Sequence, residues 1–161
     1  MTIVTKKAAV FLGALGFLAL GTGLFMYQSA SSSKLAYIDP SDQTLLVRGR
    51  QIYTNNCAAC HGARLEGQND WRTRKPNGRL PAPPHDKAGH TWHHPDALLI
   101  DIVKNGLVPG KTAPPGYVSD MPAYGQSLSD PDIAAVLAYI KSSWPPKALA
   151  AQKEITLQPR Q

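Results

Sequence analysis

Two cysteines and a histidine lie within five positions of one another and indicate the chemistry of this 161-residue chain. Cys57 and Cys60 are its only cysteines, and His61 follows directly in the run CAACH. Two thiols at this spacing can add across the two vinyl groups of a haem, and the adjacent imidazole then lies under the iron. The motif predicts one covalently attached haem c, with thioethers at Cys57 and Cys60 and with His61 as the proximal iron ligand.

Other uses of a C-x-x-C pair fit the rest of the chain less well. A structural zinc site needs four ligands, and no further cysteine is available. A thioredoxin-like redox pair would lie among alternating strands and helices, which the flanking sequence does not indicate. A plain disulfide would close almost no loop and would leave His61 without a role.

A six-coordinate haem needs a second ligand opposite His61, and Met121 is the candidate. Met1 and Met26 precede the predicted domain, whereas Met121 lies in the polar loop SDMPAY. A lone methionine usually fills a core, but this loop has no apolar periodicity that would require one. We therefore expect Met121 as the distal ligand, a pairing with histidine that raises the reduction potential of the iron.

The histidines of the middle of the chain provide alternatives to Met121. These are His85, His90, His93 and His94. One of them can act as the sixth ligand instead, or several can bind copper, which imidazole suits. Otherwise they border the haem pocket or face solvent.

Haem also carries two propionates that require hydrogen-bond donors, and its axial histidine requires an acceptor. Trp71, Arg79 and Trp92 are the candidate propionate contacts. A metal-bound histidine usually donates its second ring nitrogen to a carbonyl or carboxylate. The run PAPP offers free carbonyls, so Pro83 is the candidate acceptor for His61; a plain polyproline connector is the alternative.

The first of three segments with helical periodicity leads directly into the haem motif. Ser41 or Asp42 caps it, and Gly49 lies on its apolar stripe. Glycine inside a helix costs up to about 1 kcal/mol relative to alanine. Gly49 therefore predicts a close crossing with another helix.

Two further helices follow, and no segment alternates as a strand would. The second opens at Pro95 and ends at Gly106. The third is capped by Ser129, carries apolar residues at i, i+3, i+4 and i+7, and stops at the Trp-Pro-Pro run. Two long stretches, 62–93 and 107–128, show neither period; a buried haem explains them, because its faces supply the missing apolar surface.

The N-terminal residues indicate the cellular compartment in which the folded domain lies. Residues 8–27 form an uncharged apolar run after Lys6 and Lys7, and as a helix this run is about 30 Å long, the thickness of a bilayer core. The positive-inside rule keeps the lysines cytoplasmic and sends the following residues to the periplasm. We predict a signal anchor at 1–27, with a signal cleaved near Ala30 as the alternative.

The chain is thus divided into an anchor, a polar tether at 28–38, a folded domain at 39–146, and a C-terminal tail at 147–161 that can carry a short helix. This organisation predicts a single-pass protein of the inner membrane with its haem domain in the periplasm.

Together these residues resemble the class I c-type cytochromes, and in particular small membrane-anchored bacterial monohaem members. The resemblance to the class rests on RGRQIY-x3-CAACHG at 48–62, MPAY at 121–124 and LSDPDIAAVLAYIK at 128–141. The runs GRLPAPP at 78–84 and HTWHHPD at 90–96 look like those of the small membrane-anchored members. The resemblance implies an all-α fold around one haem in which the first and last helices cross at right angles. Gly49 matches the glycine at that crossing, and Tyr139 matches the aromatic residue packed near it.

The predicted function is transfer of single electrons between respiratory components, without catalysis by the chain itself. One alternative is a haem enzyme or a gas or redox sensor whose sixth site opens. Another is a fixed cytochrome subunit of a larger oxidoreductase.

The charge of the chain bears on its partners. The net charge is +6, and five basic residues between 64 and 79 face only Glu66 and Asp70. Such a cluster either is solvated surface or steers the domain toward an acidic docking site on a redox protein. No nucleic-acid-binding motif accompanies the charge, so nucleic acid is not an expected partner.

Overall fold

The computed structural model describes residues 37–158, which form five α-helices and one turn of 3₁₀ helix at Thr91–His93. The helices are α1 (Gln43–Asn56), α2 (Ala58–His61), α3 (Asp96–Asn105), α4 (Asp130–Lys141) and α5 (Pro146–Leu157). No strand forms in this part of the chain, so its predicted all-α character is confirmed.

The membrane prediction concerns a different part of the chain. The predicted anchor at 1–27 lies outside the described residues. Within residues 37–158, none of the helices has the length and apolar character needed to cross a membrane.

Helices α1 and α4 pack so closely that a backbone carbonyl fills the place of a side chain. A Cβ added to Gly49 would lie 2.0 Å from the Ala135 carbonyl oxygen and 2.9 Å from Tyr139 Cβ. Beside this contact the rings of Tyr53 and Tyr139 lie 5.4 Å apart. The close crossing predicted from Gly49 is confirmed, and it anchors the core residues of α4, which are Ile133, Val136, Leu137 and Ile140.

Side-chain caps define the starts of the two crossing helices. Asp42 caps α1 by accepting hydrogen bonds from the amides of Thr44 and Leu45 at 2.9 and 3.3 Å. Ser129 and Asp132 form a capping box at the start of α4, in which each side chain bonds the other residue's amide. The capping predictions at these two helices are confirmed, with Asp42 as the residue that caps α1.

The prolines beside α3 and α5 differ from their predicted positions. Pro95 was expected as the first helical residue, but its ψ of 153° is extended and its carbonyl accepts the first helical hydrogen bonds, so α3 begins at Asp96. Pro146 was expected to help end the preceding helix. Instead it occupies the first turn of α5, where a missing amide proton costs nothing.

A buried polar cluster, defined as Asp96, Lys141 and Gln152, joins the last three helices. Lys141 Nζ lies 2.8 Å from Asp96 Oδ1, and both side chains are at most 1% exposed. Gln152 Nε2 donates to Asp96 Oδ1 at 2.7 Å, and the amide of Ile38 donates to Asp96 Oδ2 at 2.7 Å. Through these bonds α5 and the first described residues form one compact unit with the core.

The stretch between α2 and α3 is held by backbone hydrogen bonds rather than by regular structure. The amide of Gly67 donates to the His61 carbonyl at 2.8 Å, and the amide of His85 donates to the Leu65 carbonyl at 2.8 Å. Leu65 is 4% exposed and has a φ of 70°, a conformation that bulky residues rarely adopt. This folded loop brings the segment around Pro83 back to His61.

Candidate haem site

One turn of chain brings the two thiols and the histidine of the motif together. Helix α1 ends at Asn56 and the short helix α2 begins immediately, with the amides of Cys60 and His61 donating to the Cys57 carbonyl at 3.1 and 2.9 Å. Gly62 ends this turn at a φ of 82°, which favours glycine. The two cysteines form no disulfide; Cys57 is half-buried and Cys60 is exposed.

The environment of Cys57 differs from that of a redox-active cysteine. Burial, with a smaller contribution from the nearby Cys60, raises the pKa of Cys57 to about 11. Redox-active C-x-x-C pairs and zinc thiolates depend on a lowered pKa, because the thiolate is the reactive or ligating form. The local environment of Cys57 therefore favours neither.

The His61 ring is fixed in the form that a metal ligand requires. Its Nδ1 lies 2.9 Å from the Pro83 carbonyl oxygen, which can only accept, so Nδ1 carries the proton. Burial lowers the pKa of His61 and outweighs the opposing effect of this hydrogen bond, which keeps the ring neutral. The lone pair on Nε2 remains available to iron, as the predicted roles of His61 and Pro83 need.

The loop that carries Met121 is tied to the haem motif by a tyrosine. The hydroxyl of Tyr124 donates to the Asn56 carbonyl at 2.6 Å, one residue before Cys57. The Tyr124 amide donates to the Val103 carbonyl at 3.0 Å. The structure thus joins the two segments that hold the predicted ligands, while ligation by Met121 itself stays a prediction.

Arg79 contacts the same loop. Its guanidinium donates to the Ser119 carbonyl at 3.0 Å and pairs with Asp120, immediately before Met121. The Met121 amide in turn donates to the Ser119 hydroxyl at 3.0 Å. In the structure Arg79 thus supports the loop of Met121, and its contact with a haem propionate stays a prediction.

The two tryptophans proposed as propionate contacts have different surroundings. Trp71 is covered on its faces by His90, at 5.6 Å between ring centroids, and by the Arg72 guanidinium at 3.9 Å. Trp92 stacks on His93 at 3.6 Å, and its indole N–H is buried with no acceptor among residues 37–158. Trp92 is therefore the indole that still requires an acceptor such as a carboxylate.

The remaining histidines lie near one another but do not converge as metal ligands in the described part of the chain. His85 stacks on His61 with ring centroids 4.0 Å apart, and His90 and His94 lie edge to face at 5.4 Å. In the described part of the chain, no three side chains of histidine, cysteine, aspartate or glutamate converge as metal ligands would.

These residues fit a covalently bound haem. Two neighbouring cysteines and a neutral histidine with a free ring nitrogen provide the groups that attachment and ligation require. The sequence motif could identify the thiols and His61, since they are adjacent. It could not identify the support from Tyr124 and His85, because no local pattern links them to the motif.

Comparison with known proteins agrees with this chemistry. The model of the family described as cytochrome c matches residues 46–144. The cytochrome c subunit of gluconate 2-dehydrogenase from Pantoea cypripedii is 30% identical over 99 residues, covering 60% of this chain and 20% of that protein. The cytochrome c subunit of quinone alcohol dehydrogenase from Gluconacetobacter polyoxogenes is 31% identical over 126 residues, covering 78% of this chain and 24% of that one.

A third relative belongs to an oxidase. Subunit CcoP of the cbb3-type cytochrome c oxidase from Azospirillum sp. (strain B510) is 28% identical over 100 residues, covering 62% of this chain and 29% of that subunit. The chain therefore spans less than a third of the length of these relatives. No solved structure matches it. The family match extends from α1 to Trp144 and includes the CAACH motif, so the chain belongs to the cytochrome c family and carries covalently bound haem c.

Proposed function

We propose that this chain carries single electrons on a haem held by Cys57, Cys60 and His61, with Met121 as the distal ligand. The contact between His61 Nδ1 and the Pro83 carbonyl is the observation that carries the proposal. It leaves the second ring nitrogen available for iron, one turn of chain from Cys57 and Cys60. The relatives, which are cytochrome c subunits of dehydrogenases and an oxidase, support electron transfer as the role.

The protein supplies binding and a constant ligand environment. When bound, haem c supplies a one-electron couple at its iron. The Pro83 carbonyl keeps the proton on His61 Nδ1, so this ligand need not gain or lose a proton when an electron moves. The bonds of Tyr124 and Arg79 hold the Met121 loop in place, which favours a filled sixth position.

Covalent attachment is tested by replacing both cysteines. The Cys57→Ser and Cys60→Ser double variant should lose haem staining on a denaturing gel, whereas each single variant should retain one thioether and part of the stain. Covalent haem that persists in the double variant would contradict the assignment.

Distal ligation is tested by Met121→Ala. The oxidised variant should lose the weak sulfur-to-iron charge-transfer band, and its potential should fall because the thioether favours reduced iron. If the native protein lacks that band and His93→Ala or His94→Ala changes its spectrum, a histidine is the ligand. Carbon monoxide binding by the native reduced protein without denaturant would instead indicate a sixth site that opens, as in an enzyme or sensor.

We place the protein at the inner membrane with its haem domain in the periplasm, on the basis of Lys6, Lys7 and the apolar run at 8–27. It should remain in the membrane fraction through a carbonate wash, with its C-terminus open to protease from the periplasmic side. A soluble mature chain that starts near Ser31 would show a cleaved signal instead.

The basic loop, defined as residues 64–79, is the proposed docking surface for an acidic redox partner. Arg64, Arg72, Arg74 and Lys75 are exposed. The screening length shrinks from about 30 Å at 0.01 M salt to about 10 Å at 0.1 M. The Arg72→Glu and Arg74→Glu double variant should therefore slow electron transfer with the native partner at low salt and have little effect at high salt.

The matched control for the basic loop is Arg50→Glu, a charge reversal at an exposed position of α1. It should change the rate less than the double variant, with the haem spectrum unchanged in both. A rate that ignores both salt and charge reversal in the loop would remove the docking proposal and leave electron transfer standing.

The relatives favour a second candidate, a fixed subunit rather than a mobile carrier. Each is named as a subunit of a dehydrogenase or oxidase. Purification of the chain from membranes in mild detergent separates the two: a fixed subunit should elute with large partners, whereas a mobile carrier should elute alone.

A further inference from the structure

A second imidazole lies directly against the predicted proximal ligand. The ring of His85 stacks on that of His61, with centroids 4.0 Å apart and an angle of 23° between the planes. Pro83, two residues earlier, accepts the His61 Nδ1 hydrogen bond at 2.9 Å. One short segment of chain therefore contacts both the edge and the face of the His61 ring.

The backbone of His85 is fixed at both of its polar groups. Its amide donates to the Leu65 carbonyl at 2.8 Å, and its carbonyl accepts a hydrogen bond from Trp144 Nε1 at 2.7 Å. Directly before it, the Pro84 carbonyl lies where a Cβ on Gly89 would be, at 1.9 Å. The segment Pro84–His85 therefore cannot shift without disturbing its packing against Gly89 and its hydrogen bond with Trp144.

The side chain of His85 is fixed as well. Its Nδ1 lies 3.0 Å from the Thr91 hydroxyl, which is buried, and the ring of Tyr53 meets it edge to face at 6.4 Å between centroids. An apolar residue would fill this space, but it would lack the hydrogen bond that fixes the rotation of the ring.

The geometry points to His85 as a positioning residue that, together with Thr91, holds the His61 ring at one rotation, keeping Nδ1 on the Pro83 carbonyl and Nε2 toward the haem iron. The inference rests on the proposed function, because it takes His61 as the proximal ligand. The hydrogen bond to Pro83 makes the ligand more basic and thereby stabilises oxidised iron. Loss of the stacked ring should weaken that bond and raise the midpoint potential.

The test compares three variants of the full-length protein with haem attached. His85→Leu fills the space but removes the stacked imidazole, so its midpoint potential should rise and the electron paramagnetic resonance signal of its oxidised form should broaden. His85→Phe restores a stacked ring without the Thr91 contact, so it should shift the potential less than His85→Leu. Asn69→Ala is the control, a change at an exposed neutral position of the same loop, and should leave both measurements unchanged.

The outcomes separate the two proposals. If His85→Leu leaves the potential and the resonance signal at native values, His85 does not position His61. If its haem is not retained, Thr91→Val decides instead: it keeps the ring and removes only its partner, and it should shift the potential in the same direction. If His61→Ala itself keeps the native spectrum, His61 is not the ligand and the proposed function fails, whatever His85 does.

Discussion

Helix α4 is held at its middle and at its end by opposite means. At its middle it meets α1 through a missing side chain, since the Ala135 carbonyl occupies the place of a Cβ on Gly49. At its end it meets α3 and α5 through Lys141, whose charge is fully buried against Asp96. Adding an atom at Gly49 should therefore destabilise the first contact, whereas removing either charged partner should destabilise the second.

The two contacts also differ in their energetics. Close packing adds to stability directly through burial and dispersion. A buried ion pair must first overcome the cost of removing both charges from water, and it repays that cost only when further hydrogen bonds satisfy both partners. Asp96 meets this condition, because its oxygens also accept from Ile38 and Gln152.

Asp96→Asn should produce the largest loss of stability. It leaves the buried Lys141 ammonium without a counter-ion, and breaking one side of a buried pair costs about 3–5 kcal/mol. The denaturant midpoint of the haem-bound protein measures the loss. Asp130→Asn is the control, because it removes an exposed ion pair with Lys104 and should cost less than about 1 kcal/mol. Equal losses in the two variants would mean that burial of the pair has no special consequence.

Gly49→Ala should come next. One added methyl group meets a backbone carbonyl rather than a flexible side chain, so α1 and α4 must separate, at a cost of about 1–3 kcal/mol. The same substitution at an uncrowded helical site would instead stabilise the protein by up to about 1 kcal/mol. Gln51→Ala, at an exposed position of α1, is the control. A Gly49→Ala protein as stable as the native one would show that the crossing can relax.

Adding Lys141→Met to Asp96→Asn should reverse most of the loss from the single change. The double variant removes both charges while the asparagine still accepts one hydrogen bond, so we expect it to lie within about 1–2 kcal/mol of the native protein. The same denaturant titration measures it. If the double variant is no more stable than Asp96→Asn, then the hydrogen bonds of Asp96, and not the unpaired charge, account for the loss.

Ser129→Ala should have the smallest effect and provides an exposed reference. Loss of this cap should cost about 1 kcal/mol. The Ser129 hydroxyl, and after it Arg48, hold the pKa of Asp132 below its usual value, so as the pH falls the unfolded chain takes up this proton first and stability declines. That decline should be shallower in the variant than in the native protein when melting is followed from about pH 5 to about pH 3. If stability declines equally steeply in Ser129→Ala and in the native protein, then other carboxylates, and not Asp132, cause the decline.

The residues of the first contact could be predicted from sequence, whereas those of the second could not. Gly49 stands out because glycine is unfavourable inside a helix and needs a reason. Asp96 and Lys141 each have a local explanation, an acid in the first turn and a base in the last turn of a helix, which hides their pairing across 45 residues. His85 is similar, because a histidine in a proline-rich loop carries no sign that it stacks on His61.

Because α5 supplies Gln152 to the polar cluster, a truncated domain that lacks α5 also lacks part of this cluster. The family match ends at Trp144, yet Gln152, from α5, covers the Asp96 carboxylate. A fragment cut at the end of the family match would expose the ion pair to water, and water competes for both charges. Such a fragment keeps every residue of the proposed haem site. It loses the helix that helps to exclude water from Lys141 and Asp96. A fragment made for study of the isolated haem domain should therefore include α5, which lies beyond the end of the family match.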